Sequence, residues 1–167
     1  VDSAIYEACF AMMESLVPDY HFGGYIRERT GSFLPKIAPS NIYPASDGML
    51  ILAANQDTVW RRLAEAMGQP ELADDPRFLT HVARGENQAE LDALVSAWSL
   101  QMTCTDLEAV CEAHGVPCGR IYRAPDMLAD PHFAAREAIV TVEHPELGPF
   151  PMPNVFPKLS STPGNVR

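Results

Sequence analysis

Four cysteines, five histidines and a small set of loop cations are the side chains in this 167-residue sequence that could bind a metal, attack a carbonyl or hold a phosphate. Cys104, Cys111 and Cys118 recur seven residues apart, which invites a metal reading. Structural zinc instead asks for closely spaced pairs and four ligands. With Cys111 on a helix core and Cys118 in a strand, their side chains need not converge. They read as small buried hydrophobes, and no metal site is expected. His21, His81, His114, His132 and His144 are scattered, and none sits in a His-Glu-x-x-His arrangement. His114 falls in the last turn of a helix, where a cation suits the dipole. Asp74 and Asp75 are adjacent on a turn, so their carboxylates do not face a common centre. Gly23-Gly24 licenses a turn and little else. Neither a nucleophile elbow, nor a phosphate loop, nor a dinucleotide fingerprint is present. Arg27, Arg29 and Lys36 could meet a phosphate, but for any single one of them a solvated loop charge is the expected reading. Motif logic alone exposes no catalytic machinery.

The elements that would position such groups are clearer. Residues 38–60 hold a turn, a strand, a polar break and a helix start. Asp47-Gly48 reads as a two-residue hairpin turn. Met49-Leu50-Ile51-Leu52 is too continuously apolar for a half-wet edge strand. Asn55 and Asp57 are candidate caps for a helix over 57–67, whose apolar face carries Val59, Trp60, Leu63, Ala64 and Met67. Asp75-Pro76 breaks the chain, and Phe78 is a packing anchor. Residues 87–101 form the clearest amphipathic helix, with Leu91, Leu94, Val95 and Trp98 on one stripe. Thr105-Asp106-Leu107-Glu108 has the form of a capping box opening a helix to residue 114, ended by Gly115. An extended stretch over 116–122 follows, then short helical turns over 124–128 and 130–136, the second with Pro131 at its first position. Ile139–Val142 reads as a strand paired near Phe150. The proline-rich tail from Pro151 is expected to be irregular. At the other end, residues 1–17 read as one helix, apolar nearly all round, and residues 18–44 as a long connector.

Composition bounds the function. Hydrophobic residues make up 47% and charged ones 20%, a globular balance. A formal net charge of −10 disfavours nucleic acid as a partner. No apolar run approaches the roughly 20 residues of a membrane-spanning helix. Without a secretory cue, reduced cysteines in a cytoplasmic protein are expected. The greasy opening helix and the start at Val1, with no initiator Met, lead us to expect a piece of a larger protein.

Several stretches, in this order, resemble the family III CoA-transferases (CaiB/BaiF, the formyl-CoA transferase and carnitine CoA-transferase type, which includes α-methylacyl-CoA racemase). They are Val1 to Ala8 (VDSAIYEA), Arg29-Thr30-Gly31 with Ala38-Pro39-Ser40, Tyr43 to Gly48 and Asn55 to Trp60. Asp75 to Phe78, Arg84 with Asn87, and Gly115 to Gly119 follow, then Asp130-Pro131, Ala135-Arg136, His144-Pro145, Gly148, and Lys158-Leu159-Ser160 with Thr162-Pro163-Gly164. Arg120 stands where the family often has Pro, and Gly31–Lys36 lacks the glycine run of the formyl-CoA branch, which points away from formyl-CoA.

The resemblance implies an α+β fold, with a small antiparallel sheet packed with helices. One helix and a linker from a large Rossmann-like domain would precede it. On this division residues 1–37 belong to the large domain, 38–153 are the small domain, and 154–167 return toward the large one. The resemblance also implies transfer of CoA from an acyl-CoA to a small carboxylic acid through an enzyme aspartyl intermediate. The family nucleophile would lie upstream of Val1, so no catalytic residue is expected here and the chain alone is expected to be inactive. Coenzyme A is then a substrate and no cofactor is bound. The intact protein would be an interlocked homodimer that meets neither nucleic acid nor membrane. Contacts to the acyl group are expected in Gly31–Ala38, with Gly31, Ser32 and Ala38 as substrate-binding candidates. Racemisation of an α-methylacyl-CoA, or a non-catalytic binding module, are the alternatives.

Overall fold

The computed structural model describes residues 4–166, so the opening Val1-Asp2-Ser3 of the family-like signature lies outside the described residues. Strands β1 (Ser40–Pro44), β2 (Met49–Ala53) and β3 (Cys118–Arg120) form an antiparallel sheet with β2 in the centre. Tyr43 pairs with Leu50 and Leu52 with Cys118. Helices α3 (Asp57–Ala66), α4 (His81–Glu86), α5 (Gln88–Ser99) and α6 (Cys104–His114) accompany the sheet, with a 3-10 turn at Pro70–Ala73. The core comprises Leu50 and Leu52 from the sheet, the Trp60, Leu63, Ala64 stripe of α3, Phe78, Leu91, Val95, Leu107 and Cys111. This is the expected α+β architecture. The helical stripes fold back over the strand as their periodicity requires.

Several local expectations are corrected. β2 is central by pairing, yet Met49 and Ile51 are 48% and 50% exposed while Leu50 and Leu52 are buried. Within this chain the helices cover one face only, and alternation leaves the other wet. The hairpin turn is shifted by one residue. Ala45 N–H donates to the Gly48 carbonyl at 2.9 Å, making Ser46-Asp47 the central pair. Asp47 then accepts from the Cys104 N–H at 2.7 Å. Gly48 is needed for clearance, since a Cβ there would lie 2.9 Å from Cys104 Sγ.

Helix α3 has no side-chain cap, because the Asp57 carboxylate is drawn to Arg84 instead. α6 starts earlier than expected: Thr103 caps it by accepting from the Asp106 N–H, while Thr105 and Glu108 both receive Arg120.

The N-terminal expectation of one helix over 1–17 is also corrected. α1 (Ile5–Ala11) and α2 (Leu16–Gly23) are separated by a turn in which Glu14 takes φ 51°. α2 runs into the segment read as connector. Pro18 is tolerated at its third position, where a helix N–H has no intrahelical partner. No residue of α1 or α2 is buried within this chain. At the C-terminal side, Asp130 accepts from the N–H groups of His132 and Phe133, joining α7 (Ala124–Ala129) to α8 (Pro131–Ala135). β4 (Ile139–His144) and β5 (Gly148–Pro153) make a separate hairpin. The tail was expected to be irregular from Pro151, yet Pro149, Pro151 and Pro153 lie in β5. They recur every second residue, so each missing N–H falls on the outer edge of the ribbon. Among the described residues no helix is long and apolar enough to cross a membrane.

Candidate functional site

A concavity of about 690 Å³ opens between α2 and the connector that leads to β1. Its apolar wall comes from Phe22, Tyr25, Leu34, Pro35 and Ile37, and its charged groups are Glu14, Asp19, Arg27 and Lys36. Arg27 is committed: its guanidinium lies 2.7 Å from the Asp19 carboxylate and 3.0 Å from the Ser15 hydroxyl. Lys36 has no ion pair among the described residues.

The wall is held from three sides. Gln88, at the start of α5, receives the Lys36 N–H on its Oε1 at 2.9 Å. Its Nε2 donates to the carbonyls of Leu34 and Ile37 at 3.1 and 3.3 Å. α4 closes in at Gly85, where a Cβ would sit 2.5 Å from the Lys36 carbonyl oxygen. Arg84, fully buried, then fixes the end of the connector. Its Nε donates to the Ala38 carbonyl at 3.2 Å, Nη1 to Phe78 at 3.0 Å, and Nη2 to the Asn55 carbonyl at 2.8 Å and Asp57 at 2.6 Å. That partner holds the Asp57 carboxyl below the usual carboxylate range.

None of the three substrate-binding candidates lines this cleft. Gly31 occupies an exposed turn at φ 78°. Ser32 donates its hydroxyl to Asn41 Oδ1 at 2.6 Å, starting a relay in which Asn41 and the Tyr43 hydroxyl both donate to Asp92. Burial, then the Asp92 carboxylate, pushes the Tyr43 hydroxyl far above its ordinary pKa. Ala38 is a core residue whose side chain reaches no cleft. Of the stretch Gly31–Ala38, the cleft is lined by Leu34, Pro35, Lys36 and Ile37. Gln88 and Gly85 carried no signal in the sequence, since each acts on a segment about fifty residues away.

The other reactive groups serve the fold. Burial raises the Cys111 thiol to about 12, and Cys118 is raised by the same cause. No group of three or more potential metal ligands occurs among the described residues. His81 and His114 each place Nδ1 within hydrogen-bond reach of a backbone carbonyl, and His144 accepts from the N–H groups of Glu146 and Leu147. All nine described aspartates are engaged inside the chain. The partners are Arg27 for Asp19, Cys104 N–H for Asp47, Arg84 for Asp57, Arg61 for Asp74 and Arg77 for Asp75. Asn41 and Tyr43 hold Asp92, Thr103 holds Asp106, the Arg123 N–H holds Asp126, and Tyr122 holds Asp130.

The Gly85 approach yields a test. Gly85→Ala forces either α4 or the connector to move, because a backbone carbonyl cannot swing aside as a side chain would. The expected cost is about 1–3 kcal/mol. It is measured as a lowered urea midpoint with an unchanged slope. An unchanged midpoint would show that the connector does not press on α4.

A family model described as CoA-transferase family III matches residues 1–167. Succinyl-CoA–D-citramalate CoA-transferase of Chloroflexus aurantiacus is 58% identical over 99% of this chain and 42% of its own length. The β subunit of succinyl-CoA–L-malate CoA-transferase from the same organism is 33% identical, over the whole chain and 42% of that subunit. The crystal structure of a CaiB/BaiF family protein from Brucella suis superposes with TM-score 0.76 at 31% identity, covering 98% of this chain and 42% of that one. The chain thus spans about two fifths of the relatives it matches. A protein of M. tuberculosis, at 19% identity and TM-score 0.75, shares the fold.

Proposed function

The chain belongs to CoA-transferase family III, and from that premise we propose that it supplies the small domain of an enzyme moving CoA from a succinyl-CoA-type thioester to a small carboxylic acid. The observation that carries this reading is the 58% identity to a relative whose name states that reaction. Residues 1–37 are the part of the large domain that leads in, 38–153 the small domain, and 154–167 the return. Burial supports the division at its first boundary, since among the described residues none before Ala38 is buried.

In this reading an aspartate outside residues 1–167 attacks the acyl-CoA carbonyl and expels CoA thiolate, leaving a mixed anhydride. The thiolate returns to the aspartyl carbonyl, releases the first acid, and forms an enzyme thioester. The acceptor carboxylate then collects the CoA by the same two steps in reverse. The engagement of every described aspartate supports placing the nucleophile elsewhere, because each already accepts a hydrogen bond from a donor of the fold. The Leu34–Ile37 wall lies along the acyl group. The enzyme is a cytoplasmic homodimer, and CoA is its substrate rather than a resident cofactor.

The intact gene product, given succinyl-CoA and D-citramalate, is expected to yield citramalyl-CoA and succinate. Peptide mass spectrometry should place a trapped aspartyl-CoA adduct outside residues 1–167. The 167-residue chain alone should transfer nothing. Exchange of the α-proton of a 2-methylacyl-CoA without transfer to an acceptor would replace this reading with racemisation. Transfer by the isolated chain would overturn the placement of the nucleophile.

A further inference from the structure

Of the two cations that line the cleft, one is spent and one is not. Arg27 is bound to Asp19 and Ser15, which also cancels the Asp19 charge. Lys36 lies among apolar neighbours on the wall, Leu34, Pro35 and Ile37, without an ion-pair partner among the described residues. Its backbone is held in the left-handed region at φ 65°, unusual for a residue with a long side chain. That conformation is over-determined: Gln88 takes the Lys36 N–H, binds the carbonyls two residues before and one after, and Gly85 lets α4 press on the Lys36 carbonyl. Gln88 is only half-buried and Gly85 carries no side chain, so this clamp fixes the Lys36 backbone, and with it the direction in which an exposed side chain leaves the wall, without being part of the hydrophobic core.

The geometry points to Lys36 as the specificity-determining residue for acyl groups that carry a second carboxylate, with Gln88 as the residue that positions it. This rests on the reading of the cleft as the acyl wall. The thioester end of such an acyl group belongs to the CoA-handling part of the enzyme. Its free carboxylate gives up part of its hydration at the far end, and an ammonium within reach there compensates that cost by a charge-assisted hydrogen bond. A monocarboxylic acyl group of the same length offers Lys36 no partner and leaves the cation unpaired against an apolar wall. Selectivity arises from both effects. Glu14, the remaining acid of the cleft, opposes a carboxylate, so recognition depends on the Lys36 charge, projected from its clamped backbone.

The test compares kcat/KM of the intact gene product for succinyl-CoA and butyryl-CoA, which differ by a carboxylate against a methyl group. Wild type is expected to favour succinyl-CoA. In Lys36→Met the succinyl-to-butyryl ratio should fall by about 10–100-fold, the loss of one hydrogen bond to a charged group. Lys36→Arg should restore most of that ratio. Gln88→Asn, whose shortened amide cannot span the three backbone partners, should lower the same ratio through a raised KM for succinyl-CoA. Hydrogen exchange should then show lost protection at the Lys36 amide but not at Leu91–Val95. A ratio unchanged in Lys36→Met, or equal losses on both donors, would overturn the assignment while leaving CoA transfer itself standing. A wild-type enzyme that transfers no CoA would remove the reading of the cleft and this assignment together.

Discussion

Arg84→Met is expected to cost about 3–5 kcal/mol of stability, a large share of the roughly 5–15 kcal/mol that a folded domain holds in reserve. Methionine fills much of the volume, so the loss is not a cavity. It comes from acceptors left behind. The carbonyls of Ala38 and Phe78 lose the guanidinium N–H groups that reach them, and Asn55 keeps only the His81 ring nitrogen within hydrogen-bond reach. Each buried carbonyl deprived of its donor costs about 1–3 kcal/mol. Lysine is no substitute, since one ammonium cannot span acceptors that a planar fork reaches from several edges. Urea unfolding followed by circular dichroism measures the effect, and a shift below about 0.5 kcal/mol, the level of an ordinary surface substitution, would refute it.

The same variant alters the acid limb of stability. Arg84 hydrogen-bonds the Asp57 carboxylate and lowers its pKa, so in wild type this group adds stability above its unfolded value, near 3.9. That contribution disappears as pH falls through the lower folded value. Arg84→Met never has it. The stability gap between variant and wild type should therefore narrow below about pH 4.

What the sequence displayed well was local and periodic. The Trp60, Leu63, Ala64 stripe, the Leu91–Val95 helix, the Gly115 stop and the Asp130-Pro131 start each depend on residues within one or two turns. The misread places are those where two local signals compete. Thr103 and Thr105 both have an acid three residues on, so either could open α6. Tertiary contacts settle it: Asp47 binds the Cys104 N–H, and Arg120 takes Thr105 and Glu108. Asp57 looked like a helix cap and became the partner of an arginine 27 residues away. The cleft was half visible. Its connector was identifiable as a Gly- and Pro-rich stretch, and Lys36 as a cation on it. That Gln88 and Gly85 would grip Lys36 follows only from the packing of α4 and α5 against the connector. The order of short family-like signatures pointed to the family more effectively than any chemical motif, since every described aspartate is already engaged within the fold.

Trp60→Ala and Trp60→Phe are expected to separate widely. The indole is 1% exposed, meets Phe78 edge to face at 6.1 Å and lies 6.0 Å from the Arg84 guanidinium carbon. Removing it should cost about 3–5 kcal/mol, since a cavity this large in the core beside Phe78 and Arg84 closes only in part. Its Nε1–H, however, is buried without a hydrogen-bond partner among the described residues. Such a group costs about 1–3 kcal/mol to keep dry. Phenylalanine retains an aromatic ring against Phe78 and discards that donor, so the smaller ring's lost contacts are offset by the removed penalty. Trp60→Phe should therefore cost about 1 kcal/mol or less. Both values come from urea midpoints at a common slope. If the two variants lose stability equally, the indole N–H carries no penalty, and a partner for it must exist in the folded chain.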